Sequence, residues 1–294
     1  MNKSSKRREI IIMAVFAVLS LCFLIPFLMV LSISFSSESE IVRNGYSLIP
    51  REFTLDAYWY IFENPTEIIT GYQVTTFVTV AGTFISVFLM AMCAYCLVRS
   101  NCKFRRPLMF YIFFTMLFSG GLVPSYILVT QYLHLNDSIW ILTINGLVNV
   151  FHITLLRTYF QNIPDGLFEA AKIDGANEFA IFYRILLPMS KPAIATVALM
   201  GALARWNDWY TAMLYITKPE LTPLSYVLYK VMADLQFMAS NMQNLPESFT
   251  HTVTLPAETA RMAMCVIAAG PMLFIFPFFQ KYFVSGLTVG SIKG

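Results

Sequence analysis

Charge is what this sequence is short of. Asp, Glu, Lys and Arg together make up 13% of its 294 residues, where soluble domains carry about 25%. So few charges cannot cover a water-facing globule of this length, which excludes an ordinary soluble enzyme. Histidine is scarcer still. His134, His152 and His251 stand apart, without the cysteines or carboxylates that a metal site or a nucleophilic triad would need. No glycine-rich loop ends in Gly-Lys-Ser/Thr, so the chain lacks that kind of phosphate cradle for ATP. The five cysteines do not form a disulfide framework: Cys22, Cys93, Cys96 and Cys265 fall in apolar stretches and Cys102 in a basic loop. Cys93-x-x-Cys96 has no second pair to complete a metal site, and small-residue packing in a helix suits it better. Internal repeats and low-complexity tracts are missing too, which removes support for an inverted-repeat carrier.

Apolar length is what the sequence has instead. Hydrophobic residues make up 57% and aromatic ones 15%, with a mean hydropathy of +0.63. The uncharged run Ile10 to Ile33 is 24 residues long, beyond the roughly 7–15 of a cleavable signal's apolar region. It reads as a retained first span behind Lys3, Lys6, Arg7 and Arg8. Five more spans follow, about 75–98, 108–130, 138–156, 193–216 and 262–283. Each is near the roughly 20 residues a helix needs to cross hydrocarbon, and none alternates with the period of two expected of a barrel strand. The expected fold is therefore all-α, a single polytopic membrane domain over 1–294 with six transmembrane helices. With the N-terminus inside, 14 of the 20 basic residues fall in cytoplasmic segments and five in outer ones, Arg205 lying within a span. That asymmetry places both termini in the cytoplasm. Two outer segments are long enough to make a docking surface: 34–74, rich in acidic residues, and 217–261, with Pro219, Pro223, Pro246 and Pro256.

The most informative stretch is the cytoplasmic loop 162–192, NIPDGLFEAAKIDGANEFAIFYRILLPMSKP. Pro164 and Asp165 open a helix, Asp174-Gly175 breaks it, and Asn177 is suited to cap a second helix that Pro188 and Pro192 end. The loop is unusually apolar, with Leu167, Phe168, Phe179, Phe182 and Tyr183 among others. Such residues must pack against something: the membrane surface, the chain's own helix ends, or a groove on a partner.

Glu169-Ala170-Ala171, then Gly175, Ile185 and Leu187-Pro188, fill every position of E-A-A-x3-G-x9-I-x-L-P. This resembles the EAA signature of permease subunits in binding-protein-dependent ABC importers. The six-span layout, Trp206-Asn207-Asp208-Trp209 and the tail from Gln280 to Lys293-Gly294 are similar to the carbohydrate branch, in particular the second permease subunit of maltose-type importers. The resemblance implies a type I importer permease whose loop is a coupling helix docked on a separate ATPase. Glu169 would make polar contacts there, Ala170 and Ala171 would allow close approach, and Gly175, after Asp174, would set the corner. The implied partners are a second permease subunit in a heterodimer, a nucleotide-binding ATPase dimer, an extracytoplasmic solute-binding protein and membrane lipid, with no nucleic acid. No cofactor is expected on this chain; ATP and magnesium belong to the ATPase. Two alternatives keep their place: an ABC permease for another small solute, and a proton-driven carrier needing no ATPase.

Polar residues inside the spans are candidates for the solute path. Asn145, Asn149 and His152 share one helical face at i, i+4 and i+7, serving either sugar hydroxyls or interhelical packing. Arg205 and Asp208, three apart, are expected to neutralise each other partly, flanked by Trp206, Asn207 and Trp209. Those aromatic rings suit either a sugar face or an interfacial anchor. Ser119-Gly120-Gly121 and Pro124 predict a kink in the third span.

Overall fold

The computed structural model describes residues 3–63, 65–99, 101–241 and 257–288. The tail's last residues, Lys293-Gly294, together with His251, Pro246 and Pro256, lie outside them. Among the described residues the secondary structure is helical, with one isolated antiparallel bridge between Ser36 and Phe53. This is what lipid demands of a chain without a barrel pattern, because every backbone polar group must be satisfied within its own segment.

In chain order the helices are α1 (Lys3–Ser34), α2 (Glu38–Asn44), α3 (Asp56–Ile61), α4 (Pro65–Val98), α5 (Arg105–Leu117) and α6 (Leu122–Ile127). They continue with α7 (Ile139–Ile144), α8 (Val150–Phe160), α9 (Asp165–Ile173), α10 (Glu178–Ile181), α11 (Leu187–Met189) and α12 (Lys191–Trp206). The last three are α13 (Tyr210–Tyr215), α14 (Leu224–Asn241) and α15 (Ala257–Thr288). Arg8–Ser34, Pro65–Val98 and Glu258–Phe278 are each long and apolar enough to cross a membrane alone. Two more stretches reach that measure only as bent pairs: Arg105–Leu117 with Leu122–Tyr132 at 113°, and Glu178–Met189 with Lys191–Trp206 at 82°.

Three of the expected spans therefore depart from straight helices. The third breaks at 118–121, where Gly121 takes a left-handed φ of 84°. The fourth, 138–156, is two helices of 6 and 11 residues separated by 145–149. Its turn depends on Gly146 at φ 68°, which side-chain-bearing residues rarely adopt. The fifth stops at Trp206, and a second short helix, α13, carries the chain on to Tyr215. The breaks carry Ser, Gly, Asn and Asp, but each is too short to lower the hydropathy averaged over a whole span.

The chain divides into two compact units. One contains Met1–Ile68 and Val227–Gly270. Here Glu38 of α2 caps the start of α15, accepting hydrogen bonds from the backbone N–H of Glu258 (3.1 Å) and Thr259 (3.0 Å) and from Thr259 Oγ1 (2.9 Å). A carboxylate at the positive end of a helix dipole adds to that stabilisation. Phe35 stacks on Phe53 and Tyr58, with ring centres 5.4 and 5.1 Å apart.

The other unit, Ile69–Tyr226 with Pro271–Gly294, carries the signature loop. It has two apolar cores at opposite ends of α4. Near the α4 C-terminus, Met90, Ala94 and Leu97 pack with Ile153, Leu156 and Phe160 of α8, Phe168 of α9, and Ile181, Phe182 and Leu186. Near its start, Val74 and Val78 pack with Ile141 and Leu142 of α7 and Ala212 and Tyr215 of α13. The polar breaks lie between these cores.

Candidate functional site

The signature loop is two helices and a corner. In α9, Phe168 (1% exposed) and Ala171 (8%) turn into the core, while Glu169, Ala170 and Lys172 face outward. Ala171 thus serves the chain's own packing, while Ala170 is the small residue on the outer face. Gly175 makes the corner at φ 80°. A side chain there would meet nothing within 4 Å, so the requirement for glycine is one of backbone conformation, not space. Asp174 ends α9 as its C-cap. Asn177 then caps α10 by accepting from Ala180 N–H at 2.8 Å.

After α10 the helix widens into a π turn over Phe182–Leu186, containing Ile185, before Leu187 and Pro188 of α11. Proline has no N–H to give to the carbonyl four residues back, and a π turn accommodates such a loss. The 82° bend at Ser190 then starts α12. Leu167, Ile173, Phe179 and Tyr183 remain exposed, Ile173 at 87%. Leu167 and Ile173 flank Glu169 and Ala170 on α9, whereas Phe179 and Tyr183 face a small apolar pocket with Phe88 and Met92 of α4.

Behind this face lies a charge cluster that no sequence spacing revealed. Glu178 Oε1 accepts from Arg99 Nη2 at 3.2 Å and from Lys172 Nζ at 3.1 Å, and its Oε2 accepts from the Tyr95 hydroxyl. The Arg99 guanidinium also lies over two rings, 5.0 Å from the centre of Phe168 and 5.7 Å from that of Tyr95. Burial pushes the Glu178 carboxyl up, but hydrogen bonds from Tyr95, Arg99 and Lys172 outweigh it and hold its pKa at about 2.

The residues expected along a solute path are placed differently from one another. Asn145, Asn149 and His152 do not share a helical face, because the break in the fourth span separates them. Asn145 ends α7 and donates to Thr211 Oγ1 at 2.7 Å. Asn149 caps α8 by accepting from His152 N–H at 3.2 Å. Both asparagines are exposed and His152 is half-buried. Arg205 and Asp208 form no ion pair among the described residues, since α12 ends between them. Arg205 reaches the carbonyl of Gly146 at 3.3 Å, and Asp208 caps α13, accepting from Thr211 N–H (3.1 Å) and Oγ1 (2.6 Å).

Ser86 of α4 donates to the carbonyl of Leu147 at 2.5 Å. Two broken spans are thus tied to each other and to α4 by groups that satisfy the opened backbone, as an apolar medium requires. Asn207 bonds back to the Leu203 carbonyl at 2.8 Å, and Trp209 meets Tyr210 edge-on at 5.8 Å.

A cleft of about 990 Å³ runs along α4 and α12 and the residues of α15 beyond Gly270. Tyr72, Thr76, Thr79 and Thr83 line it from α4, with Trp206 from α12. Trp206 alone of the expected path residues borders it, its ring 6.4 Å from that of Tyr72. Among the described residues, no group of three or more His, Cys, Asp or Glu could hold a metal ion.

Comparison with known proteins bears directly on this arrangement. Residues 82–289, which include the whole loop and all three broken spans, match the family model described as "Binding-protein-dependent transport system inner membrane component". The chain belongs to that family. It is a permease, a membrane transport subunit and not an enzyme.

The permease is 42% identical over 276 residues to the polygalacturonan/rhamnogalacturonan transport system permease protein YtcP of Bacillus subtilis, covering 94% of each chain. It is 27% identical over 287 residues to the arabinooligosaccharides transport system permease protein AraQ of the same organism, covering 95% of this chain and 94% of the other. Among solved structures it is similar to a bacterial ABC transporter involved in the import of the acidic polysaccharide alginate. There the TM-score is 0.81 and identity 31%, over 96% of this chain and 99% of the other.

Proposed function

We propose that the permease moves a sugar or oligosaccharide across the cytoplasmic membrane of a bacterium, driven through its signature loop by a separate ATPase. The observation that carries this reading is the outer face of α9. Glu169 and Ala170 stand outward beside exposed Ile173 and Leu167, on a corner that Gly175 holds in a left-handed conformation. An apolar border around one carboxylate suits a protein groove better than water. Relatives that transport polygalacturonan/rhamnogalacturonan and arabinooligosaccharides, and an importer of the acidic polysaccharide alginate, support the carbohydrate class.

In this mechanism the permease is half of a heterodimer with a second permease subunit. A solute-binding protein delivers the sugar on the outer side. Closure of an ATPase dimer around Mg–ATP displaces α9, and hydrolysis resets the cycle. Both termini and the loop 162–192 are cytoplasmic, and the broken pair α7–α8 makes the sixth crossing. Trp206 offers an aromatic face to the cleft beside Tyr72 and the threonines of α4, as sugars require.

Gly175→Val tests the coupling role. A β-branched residue in the left-handed region costs about 1–2 kcal/mol, enough to shift the corner without disturbing insertion. Uptake of labelled oligosaccharides by the assembled importer should be abolished while the variant reaches the membrane at the normal level. Uptake at the wild-type rate would sink the assignment.

A further inference from the structure

The loop carries two glutamates with opposite surroundings. Glu169 stands exposed on the outer face, whereas Glu178, its side chain 48% exposed, commits both carboxylate oxygens to donors within the chain. Its three donors come from two places: Tyr95 and Arg99 at the C-terminal end of α4, and Lys172 from α9. Arg99 reinforces the same joint by lying over Phe168 of α9 as well as Tyr95 of α4, with its side chain only 14% exposed. One carboxylate at the start of α10 therefore binds α9, α10 and the end of α4 together. Charge-assisted hydrogen bonds of this kind are roughly twice as strong as neutral ones. Phe168 and Phe182, both nearly fully buried, fill the apolar side of the joint.

We propose that Glu178 is a positioning residue for transport: it locks the signature loop to the end of α4, so that a push on α9 displaces that span instead of flexing the loop. This rests on the coupling role proposed above. Glu178 remains half-exposed, but the three donors it already holds within the chain leave it less to offer a partner than Glu169 has. It also lies far from solute chemistry, among Tyr95, Arg99 and Lys172. Its effect must therefore appear in the efficiency with which hydrolysis is converted to movement, with solute affinity and ATPase attachment left intact.

The test uses the complete importer, with both permeases, the ATPase and the binding protein, in proteoliposomes. Uptake of labelled galacturonate, arabinose and galactose oligosaccharides is measured beside ATP hydrolysis. Glu178→Gln should retain the ATPase on purification and keep the half-saturating solute concentration, while uptake per ATP hydrolysed falls about fivefold or more. Glu178→Asp, which keeps the charge, should recover most of the loss.

An unchanged ratio in Glu178→Gln overturns the proposal, as does loss of the ATPase from the complex, which would make Glu178 a docking residue. If Glu178→Gln fails to reach the membrane, Tyr95→Phe removes a single hydrogen bond, and the same ratio must then fall; an unchanged ratio again overturns the proposal. A wild-type importer that moves none of the three oligosaccharides overturns the proposed function and this inference with it. Normal wild-type uptake with a fully coupled Glu178→Gln overturns the inference alone.

Discussion

Gly82 lies on α4 where the side chain of Arg205 crosses it. A β-carbon at that position would stand 2.4 Å from Arg205 Nε and 2.9 Å from its Cδ, with the Thr143 carbonyl oxygen at 3.3 Å. Non-bonded heavy atoms settle at about 3.5–4.0 Å, so in Gly82→Ala the arginine must move. It would then give up its 3.3 Å hydrogen bond to the Gly146 carbonyl. A hydrogen bond to a charged group contributes about 1.5–3 kcal/mol, and alanine returns roughly 0.5–1 kcal/mol through helix propensity. The expected net loss is about 1–2 kcal/mol, a fall of roughly 2–8 °C in the apparent unfolding midpoint. The assay is a double-mutant cycle in detergent at a fixed heating rate, with wild type, Gly82→Ala, Arg205→Met and the pair. With Arg205 gone, Gly82→Ala should become neutral or slightly stabilising, giving a coupling of about 1–2 kcal/mol. An equal loss in both backgrounds, or no loss in either, would show that Gly82 does not make room for Arg205.

Two further predictions concern pH and the joint between the start of α7 and the end of α13. Because the Glu178 pKa falls from 4.5 to about 2 on folding, its stabilisation is present above pH 4.5 and is lost as pH falls through the interval down to about 2. The midpoint gap between wild type and Glu178→Gln should therefore hold constant from pH 8 to 5 and shrink below 4.5; a gap that grows on acidification would contradict the geometry. Asp137 accepts from Thr217 Oγ1 (2.6 Å), Thr217 N–H (2.5 Å) and Lys218 N–H (3.0 Å). Those bonds lower its pKa from 3.8. Asp137→Ala should speed amide hydrogen exchange at Thr217 and Lys218 at neutral pH, and in the wild type the same protection should fade on acidification below 3.8.

The sequence is most legible where a single local rule decides. Gly175 after Asp174 and Asn177 before Glu178 announce a corner and a cap from residue chemistry alone, and both occur. Gly120-Gly121 likewise predicts the break in the third span. The failures arise where long-range partners decide. Asn145 to His152 reads as one helical face because no proline interrupts it. The helix opens there because Arg205 and Ser86, far away in sequence, satisfy the freed carbonyls. Arg205 and Asp208 still act on each other electrostatically, as their spacing suggests, but each takes its hydrogen bonds elsewhere once α12 ends at Trp206. Glu178 and Arg99, 79 residues apart, could not be joined by any periodicity. Before folding, Arg99 is one more basic residue at the end of a span.

The open turn of the fourth span also constrains how the protein is made. The carbonyl of Leu147 is satisfied by a residue synthesised earlier, Ser86, but that of Gly146 waits for Arg205, 59 residues later. A nascent chain that has emerged only as far as α8 holds two helices of 6 and 11 residues, each too short to cross hydrocarbon alone. It still lacks the guanidinium that closes the gap between them. The middle of the permease therefore reaches its mature shape only after α12 has entered the bilayer, so assembly is sealed from the C-terminal half backward. Truncation before Arg205 would leave the α7–α8 turn incomplete even with every earlier span in place.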